Sequence, residues 1–388
     1  MPIVNRFADF HDDIVAWRRD IHRHPEILYE VHRTAAAVAD RLRSFGVDEV
    51  ATGIGRTGVV GVIKGRKSAS GKVIGLRADM DALPLTEKTG KDYASTAPGK
   101  MHACGHDGHT AMLLGAARYL AETRNFDGTA VVIFQPAEEG GGGGKAMVED
   151  GMMERWNIQK VYGMHNMPGL AVGRFATRPG PLMASTDEFD IRVEGVGGHA
   201  AKPHMTVDPI VVGTAIVQAL QTIVSRTVDP IESAVVSVTR FHAGEAHNII
   251  AETAEVAGTV RTLKPEIRDL VEARLATVVA SIAAAHGATA TLHYDRNYPV
   301  TRNHPAETAF AASVAADVVG DANVDAAAPP VMGGEDFSYM LEARPGAFVF
   351  IGNGDTAGLH NPAYDFNEEA IPVGCSYWVR LVETAMPA

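Results

Sequence analysis

The sequence predicts an α/β protein of two domains, on three observations. Through the first half, short apolar runs of strand type alternate with helical periodicity. The middle third instead reads strand, helix, strand, strand, helix, strand. The 388 residues leave room for two domains of roughly 150 residues each.

Taken in order, residues 73–76, 130–134 and 161–164 read as short buried strands, and 110–122 (TAMLLGAARYLAE) carries apolar residues at helical spacing. Then EFDIRVEG, DPIVVGTAIVQALQTIVSR, SAVVSVTRF, AEVAGTVRT, PEIRDLVEARLATVVASIAAAHG and ATATLHYD give β-α-β-β-α-β, the order of a ferredoxin-like unit. The Pro-Gly-Pro at 179–181 and Asn-Tyr-Pro at 297–299 suit hinges around that insertion. Residues 347–351 (AFVFI) read as a further strand and 373–384 as a closing helix. The expected organisation is a discontinuous domain, 1–182 with 299–388, built on a mostly parallel sheet flanked by helices. An α+β domain at 183–298 is inserted into it.

Composition narrows the function. With 35 Lys+Arg against 47 Asp+Glu the formal charge is −12, which argues against a nucleic-acid partner or an anionic membrane surface. Two cysteines, Cys104 and Cys375, exclude a disulfide framework. The N-terminal fifteen residues carry no leader pattern and no stretch reads as a bilayer-spanning run, so the expected compartment is the cytoplasm. Gly140 to Gly144 followed by Lys145 is no phosphate loop, because Ala146 stands where Ser or Thr is required.

The chemistry sits after the strands. Residues 73–76 lead into Arg77-Ala-Asp79-Met-Asp81, 130–134 into Gln135-Pro-Ala-Glu138-Glu139, 161–164 into His165-Asn166, and 347–351 into a loop with His360-Asn361-Pro362. Ligands of open α/β sheets bind outside the carboxyl ends of strands, so these clusters point to one site. Cys104 and His106, two apart in a glycine-relieved loop, form a fifth cluster. Thiolate, imidazole and carboxylate together suit zinc, with manganese, nickel or cobalt also compatible. The candidate ligands Cys104, His106, Glu139, His165 and His360 exceed the needs of one tetrahedral ion, so two divalent metals sharing a bridge are expected. Of the adjacent Glu138 and Glu139, one can hold metal while its neighbour takes a proton from water. Asp81 and Asp107 are expected to orient ligating imidazoles. His22, before Pro25, reads as structural, and His109 as a satisfied hydrogen-bonding group.

MHACGHDGHTA, RADMDALP, QPAEEGGGG, GVGGHAAKPH, GLHNP and the N-terminal RRDIHRHPEILYE resemble the M20 metallopeptidase and aminoacylase family. The resemblance runs in order from about residue 14 to the end. It is to the branch of N-acyl-amino-acid amidohydrolases that includes hippurate hydrolases and plant auxin-conjugate hydrolases. It implies hydrolysis of an N-acyl-amino acid to a carboxylic acid and a free amino acid, with the same five metal ligands and Glu138 as general base. It implies a lid and dimerisation role for 183–298 in a homodimer, and His199 as the lid histidine that polarises the scissile carbonyl, in cis or from the other subunit. Asn248 and Arg261 resemble the pair that holds the substrate carboxylate. A di- or carboxypeptidase is the alternative within this chemistry, and a non-catalytic conjugate-binding homologue the alternative outside it.

Overall fold

The structure is a computed structural model that describes residues 4–388. The first three residues, where the expected 1–182 segment and the stretch read for a leader begin, lie outside it. The chain divides into two compact units. One runs to Leu182 and adds Arg302–Pro329 and Asp336–Ala388; the other takes Met183–Thr301 and Pro330–Glu335.

The first unit opens with α1 (His11–Arg23) and α2 (His32–Ser44). An antiparallel hairpin of β1 (Glu49–Ile54) and β2 (Gly58–Lys64) follows. The sequence reading did not anticipate it, because Gly58 and Gly61 dilute the strand pattern. Next come β3 (Val73–Asp79), α3 (His106–Thr123), β4 (Thr129–Gln135), α4 (Gly143–Glu149), β5 (Lys160–Pro168) and β6 (Phe175–Ala176). β3 is buried along its whole length, as a central parallel strand covered on both faces requires. α3 starts four residues earlier than the expected 110. Gly105, at φ 89°, turns the chain in the left-handed region so that His106 opens the helix; the nearby glycines hid that start.

In the second unit the chain forms β7 (Ser185–Glu194), β8 (Gly198–His199), α5 (Pro209–Thr222), β9 (Ala234–Ala243), β10 (Ile249–Ile250), β11 (Thr253–Thr262), α6 (Pro265–Ala285) and β12 (Thr289–Arg296). Strands β9, β11, β7 and β12 lie side by side in that order, every pair antiparallel. β8 and β10 make a separate ribbon. Phe189, Ile191 and Val193 of β7 pack with Val212, Ile216 and Leu220 of α5 and Val271, Leu275 and Val279 of α6; the intervening Glu188, Asp190, Arg192 and Glu194 are exposed. Asp208 caps α5 by accepting the Ile210 N–H at 2.9 Å, with Pro209 in the first turn. One point corrects the sequence reading: Pro209–Thr227 is long and apolar enough, by length and composition, to cross a membrane. Its Val212, Ile216, Leu220 and Ile223 belong to the core of this unit.

The chain returns to the first unit with α7 (Pro305–Val319), β13 (Val324–Asp325), β14 (Gly346–Gly354) and α8 (Ile371–Ala385). The eight-stranded sheet runs β1-β2-β4-β3-β5-β14-β6-β13. Four of its seven neighbouring pairs are parallel, including every pair from β4 to β14. This is the expected mostly parallel, helix-flanked α/β sheet. Cys375 of α8 is packing, as a β-carbon on Gly115 would lie 2.8 Å from its Sγ and 2.6 Å from Ile14 Cδ1. Glycine there lets α1, α3 and α8 close over one face. β3 sits between β4 and β5, so the chain crosses to one side of it and then the other. The carboxyl ends flanking such a switch point form the crevice where α/β sheets take ligands.

Candidate metal centre

The residues at those strand ends converge. Donor atoms of Cys104, His106 and His165 lie within 4.8 Å of one another; so do those of Cys104, Glu139 and His360, and those of His106, Glu138 and Glu139. Cys104, His106 and Glu139 each belong to two of these sets, so the five expected ligands form two adjacent, overlapping groups. Cys104 Sγ is 3.3 Å from His165 Nε2, and Glu139 Oε1 is 3.3 Å from His360 Nε2 and 3.9 Å from His106 Nε2. All but His360 lie in the interior or at its margin; the His360 side chain is 55% exposed.

Local structure aims these groups. His165 Nδ1 donates to its neighbour's carbonyl, Asn166 O, at 2.7 Å, which leaves the Nε2 lone pair directed at Cys104. After β4, Ala137 takes a left-handed φ of 54°, and the turn presents Glu138 and Glu139 together. Asp81 clamps it: one oxygen accepts the Glu138 N–H at 3.0 Å, the other the Glu139 N–H at 3.1 Å. Asp81 Oδ1 is also 3.4 Å from His106 Nδ1. Asp107 departs from its expected task. Successive helix residues point about 100° apart, so Asp107 faces α1 and meets Arg18 at 2.7 Å and His22 at 2.8 Å instead of a ligating imidazole.

The electrostatics are those of a cation site. Although burial opposes it, the charges of Asp79, Asp81 and Glu139 raise the His106 pKa to about 10. Burial, then the neighbouring Glu139, Glu138 and Asp79, pushes the Cys104 thiol up; burial holds His165 well below the usual histidine range. Glu139 lies below the usual carboxylate range, because His360 and His106 outweigh its burial. Among the described residues, neither ring nitrogen of His106 has a partner of good hydrogen-bond geometry, and neither does Glu139 Oε1, although all are buried. Buried polar atoms left without a hydrogen bond are rare. Mixed sulfur, nitrogen and oxygen donors turned toward one another in this way fit divalent ions of the zinc class.

Among the supports around these groups, His109 is the satisfied hydrogen-bonding group the sequence suggested, whereas the sequence reading assigns no role to Arg77 or Asp79. His109 Nδ1 donates to Asp79 at 2.7 Å while its Nε2 accepts the Asn166 N–H at 3.0 Å, which satisfies it without metal. Arg77, fully buried, pairs with Asp79 at 2.7 Å and Asp336 at 3.0 Å; Asp336 also accepts the Gly144 N–H at 2.8 Å. An arginine inside an otherwise apolar strand, GLRAD, was the available signal.

In the second unit, the β8–β10 ribbon brings His199 and Asn248 together: His199 pairs in register with Ile249, and the Ala200 N–H donates to Asn248 O at 3.1 Å. Both side chains are exposed. Arg261 stands on β11 in the four-stranded sheet, half-buried, donating to Thr259 Oγ1 and, at 3.0 Å, to Val260 O.

The sequence matches Peptidase family M20/M25/M40 over residues 75–384. It is 43% identical over 381 residues to a hippurate hydrolase of Campylobacter jejuni, covering 98% of both chains. It is 39% identical over 382 residues to thermostable carboxypeptidase 1 of Saccharolobus solfataricus, covering 96% of this chain and 95% of that one. Among solved structures it is similar to the YXEP protein of Bacillus subtilis, described as a dinuclear metal-binding peptidase of the M20 family. That likeness has a TM-score of 0.85 and 36% identity, over 98% of this chain and 99% of the other.

Proposed function

The chain belongs to peptidase family M20/M25/M40, and from that premise we propose that it hydrolyses the amide bond of N-acyl-amino acids of the hippurate type. The observation that carries this reading is the pair of overlapping donor sets with a second carboxylate, Glu138, beside them. Pure binding needs no such base.

Cys104, His106, Glu139, His165 and His360 would hold two divalent ions, for which zinc or manganese suits the donor set. Bound there, such ions would supply Lewis-acid polarisation of the amide carbonyl and of water. Glu138 takes the proton from the attacking water and delivers it to the amide nitrogen as the C–N bond breaks, so that a carboxylic acid and a free amine leave. We assign His199 the donation of a hydrogen bond to the developing oxyanion. Asn248 and Arg261 receive the substrate carboxylate. Residues 183–298 serve as lid and dimerisation element of a homodimer, and the free, buried thiols of Cys104 and Cys375 suit the reducing cytoplasm.

The test combines a substrate panel with two variants. Hippurate and other N-acyl-amino acids should be turned over with kcat/KM at least tenfold above simple dipeptides. The reverse order would favour the carboxypeptidase reading that the 39% identical relative suggests. Glu138→Gln should keep wild-type metal content while kcat falls by about 10²-fold or more; Glu139→Ala should lose metal and activity together. Equal metal loss in both would show base and ligand to be misassigned.

A further inference from the structure

The N-terminal RRDIHRHPE stretch has no part in the chemistry above, yet it supplies a buried charge with several acidic partners near the centre. Arg18, on α1, is fully buried. Its Nε lies 2.7 Å from Asp107, one Nη lies 2.7 Å from Asp365, and the other lies 3.4 Å from Glu368. The ring of Tyr93 packs against the guanidinium at 4.9 Å, and the Tyr93 hydroxyl donates to the second oxygen of Asp365 at 2.7 Å.

The two nearer carboxylates flank metal ligands. Asp107 directly follows His106, and Asp365 lies five residues beyond His360. His360 is the ligand in need of outside support: its side chain is more than half exposed, and its backbone adopts a left-handed φ of 60°, a conformation unfavourable for a non-glycine residue. A backbone bond from the His360 N–H to Ala103 O at 2.8 Å ties one end of the segment. The other end is held through Asp365.

We propose that Arg18 is a positioning residue for the metal centre: by gripping Asp107 with one edge and Asp365 with another, it sets the spacing between the segment bearing Cys104 and His106 and the segment bearing His360. The planar fork is what the task requires, since it fixes two carboxylates at a set angle, and an ammonium cannot. Loss of the fork lets the 360–365 segment drift, so the His360 side of the centre weakens while the Cys104–His106–His165 side keeps its geometry. This inference rests on the metal-centre reading above.

The experiment is a cobalt(II) titration of metal-stripped wild type, Arg18→Lys and Asp365→Asn, followed by competition with a chelator and by the thiolate charge-transfer band. Wild type should take up two equivalents. In both variants one equivalent should weaken at least tenfold while the other stays within threefold of wild type, with the thiolate band retained. Asp365 is partly exposed, so its amide variant decides the question should Arg18→Lys fail to fold. Two affinities unchanged in a folded variant, or both weakened equally alongside a lower Tm, would overturn the proposal. A wild type that binds fewer than two equivalents would overturn the metal-centre reading and this inference with it.

Discussion

Asp81→Asn probes the turn that carries Glu138 and Glu139. Each Asp81 oxygen accepts one buried backbone N–H, from Glu138 at 3.0 Å and from Glu139 at 3.1 Å. The amide keeps one acceptor and sets an NH₂ group against the other N–H. One bond to a charged acceptor disappears, worth about 1.5–3 kcal/mol, and the survivor becomes neutral, losing about 1 kcal/mol more. Against this, burial raises the Asp81 carboxyl pKa, so removing the charge returns part of the desolvation cost. A net loss of about 2 kcal/mol is therefore the floor. It falls on a turn already strained by Ala137 at φ 54°, whose only asset is the placement of Glu138 and Glu139. At about 1.4 kcal/mol per decade, kcat/KM for hippurate should drop at least about 30-fold. The assay is steady-state hydrolysis with metal held at saturation, alongside far-UV circular dichroism to verify the fold. Activity within threefold of wild type, in folded and metal-loaded protein, would refute the clamp.

Two further outcomes can be checked. Despite its burial, hydrogen bonds from His22, Thr89 and the Ser95 N–H lower the Glu87 pKa from 4.5 to about 2. The folded value lies below the unfolded one, so Glu87 contributes stability above pH about 4.5 and loses it as pH falls toward about 2. Denaturant unfolding should show Glu87→Gln less stable than wild type at pH 7, with the gap narrowing steadily below pH 4.5; a gap independent of pH would contradict this. Arg261→Lys keeps the charge and loses the fork, so kcat/KM for N-acyl-amino acids should fall about tenfold with metal content unchanged. The corresponding amidated substrates should be poor for wild type and indifferent to the change, and equal cleavage of acids and amides by wild type would remove the carboxylate anchor.

What the sequence disclosed, and what it hid, follows the range of the interactions. Glu139, His165 and His360 could be singled out because each sits in a short stretch of rare residue types at or after the end of an apolar run, and Cys104 and His106 because they stand two apart in a glycine-relieved loop. Strand order then has only to bring those ends to one crevice. The parallel sheet was legible because β3, β4, β5 and β14 each contain a short apolar run, at 73–76, 130–134, 161–164 and 347–351. The β1–β2 hairpin was hidden by its glycines, and the start of α3 by Gly105 and Gly108, which look like loop until the helix is seen to open on them. Asp107 was read by proximity in sequence to His106, whereas the helical rotation between neighbours turns it toward α1. Arg18 was less visible still: its partners lie 89 and 347 residues away, and no local pattern marks a buried guanidinium as their common anchor. Ligand identity is thus written locally, while the spacing between ligands is written in contacts that only the folded chain assembles. The residues that set spacing are therefore where changes far from the metal in sequence should alter what it binds.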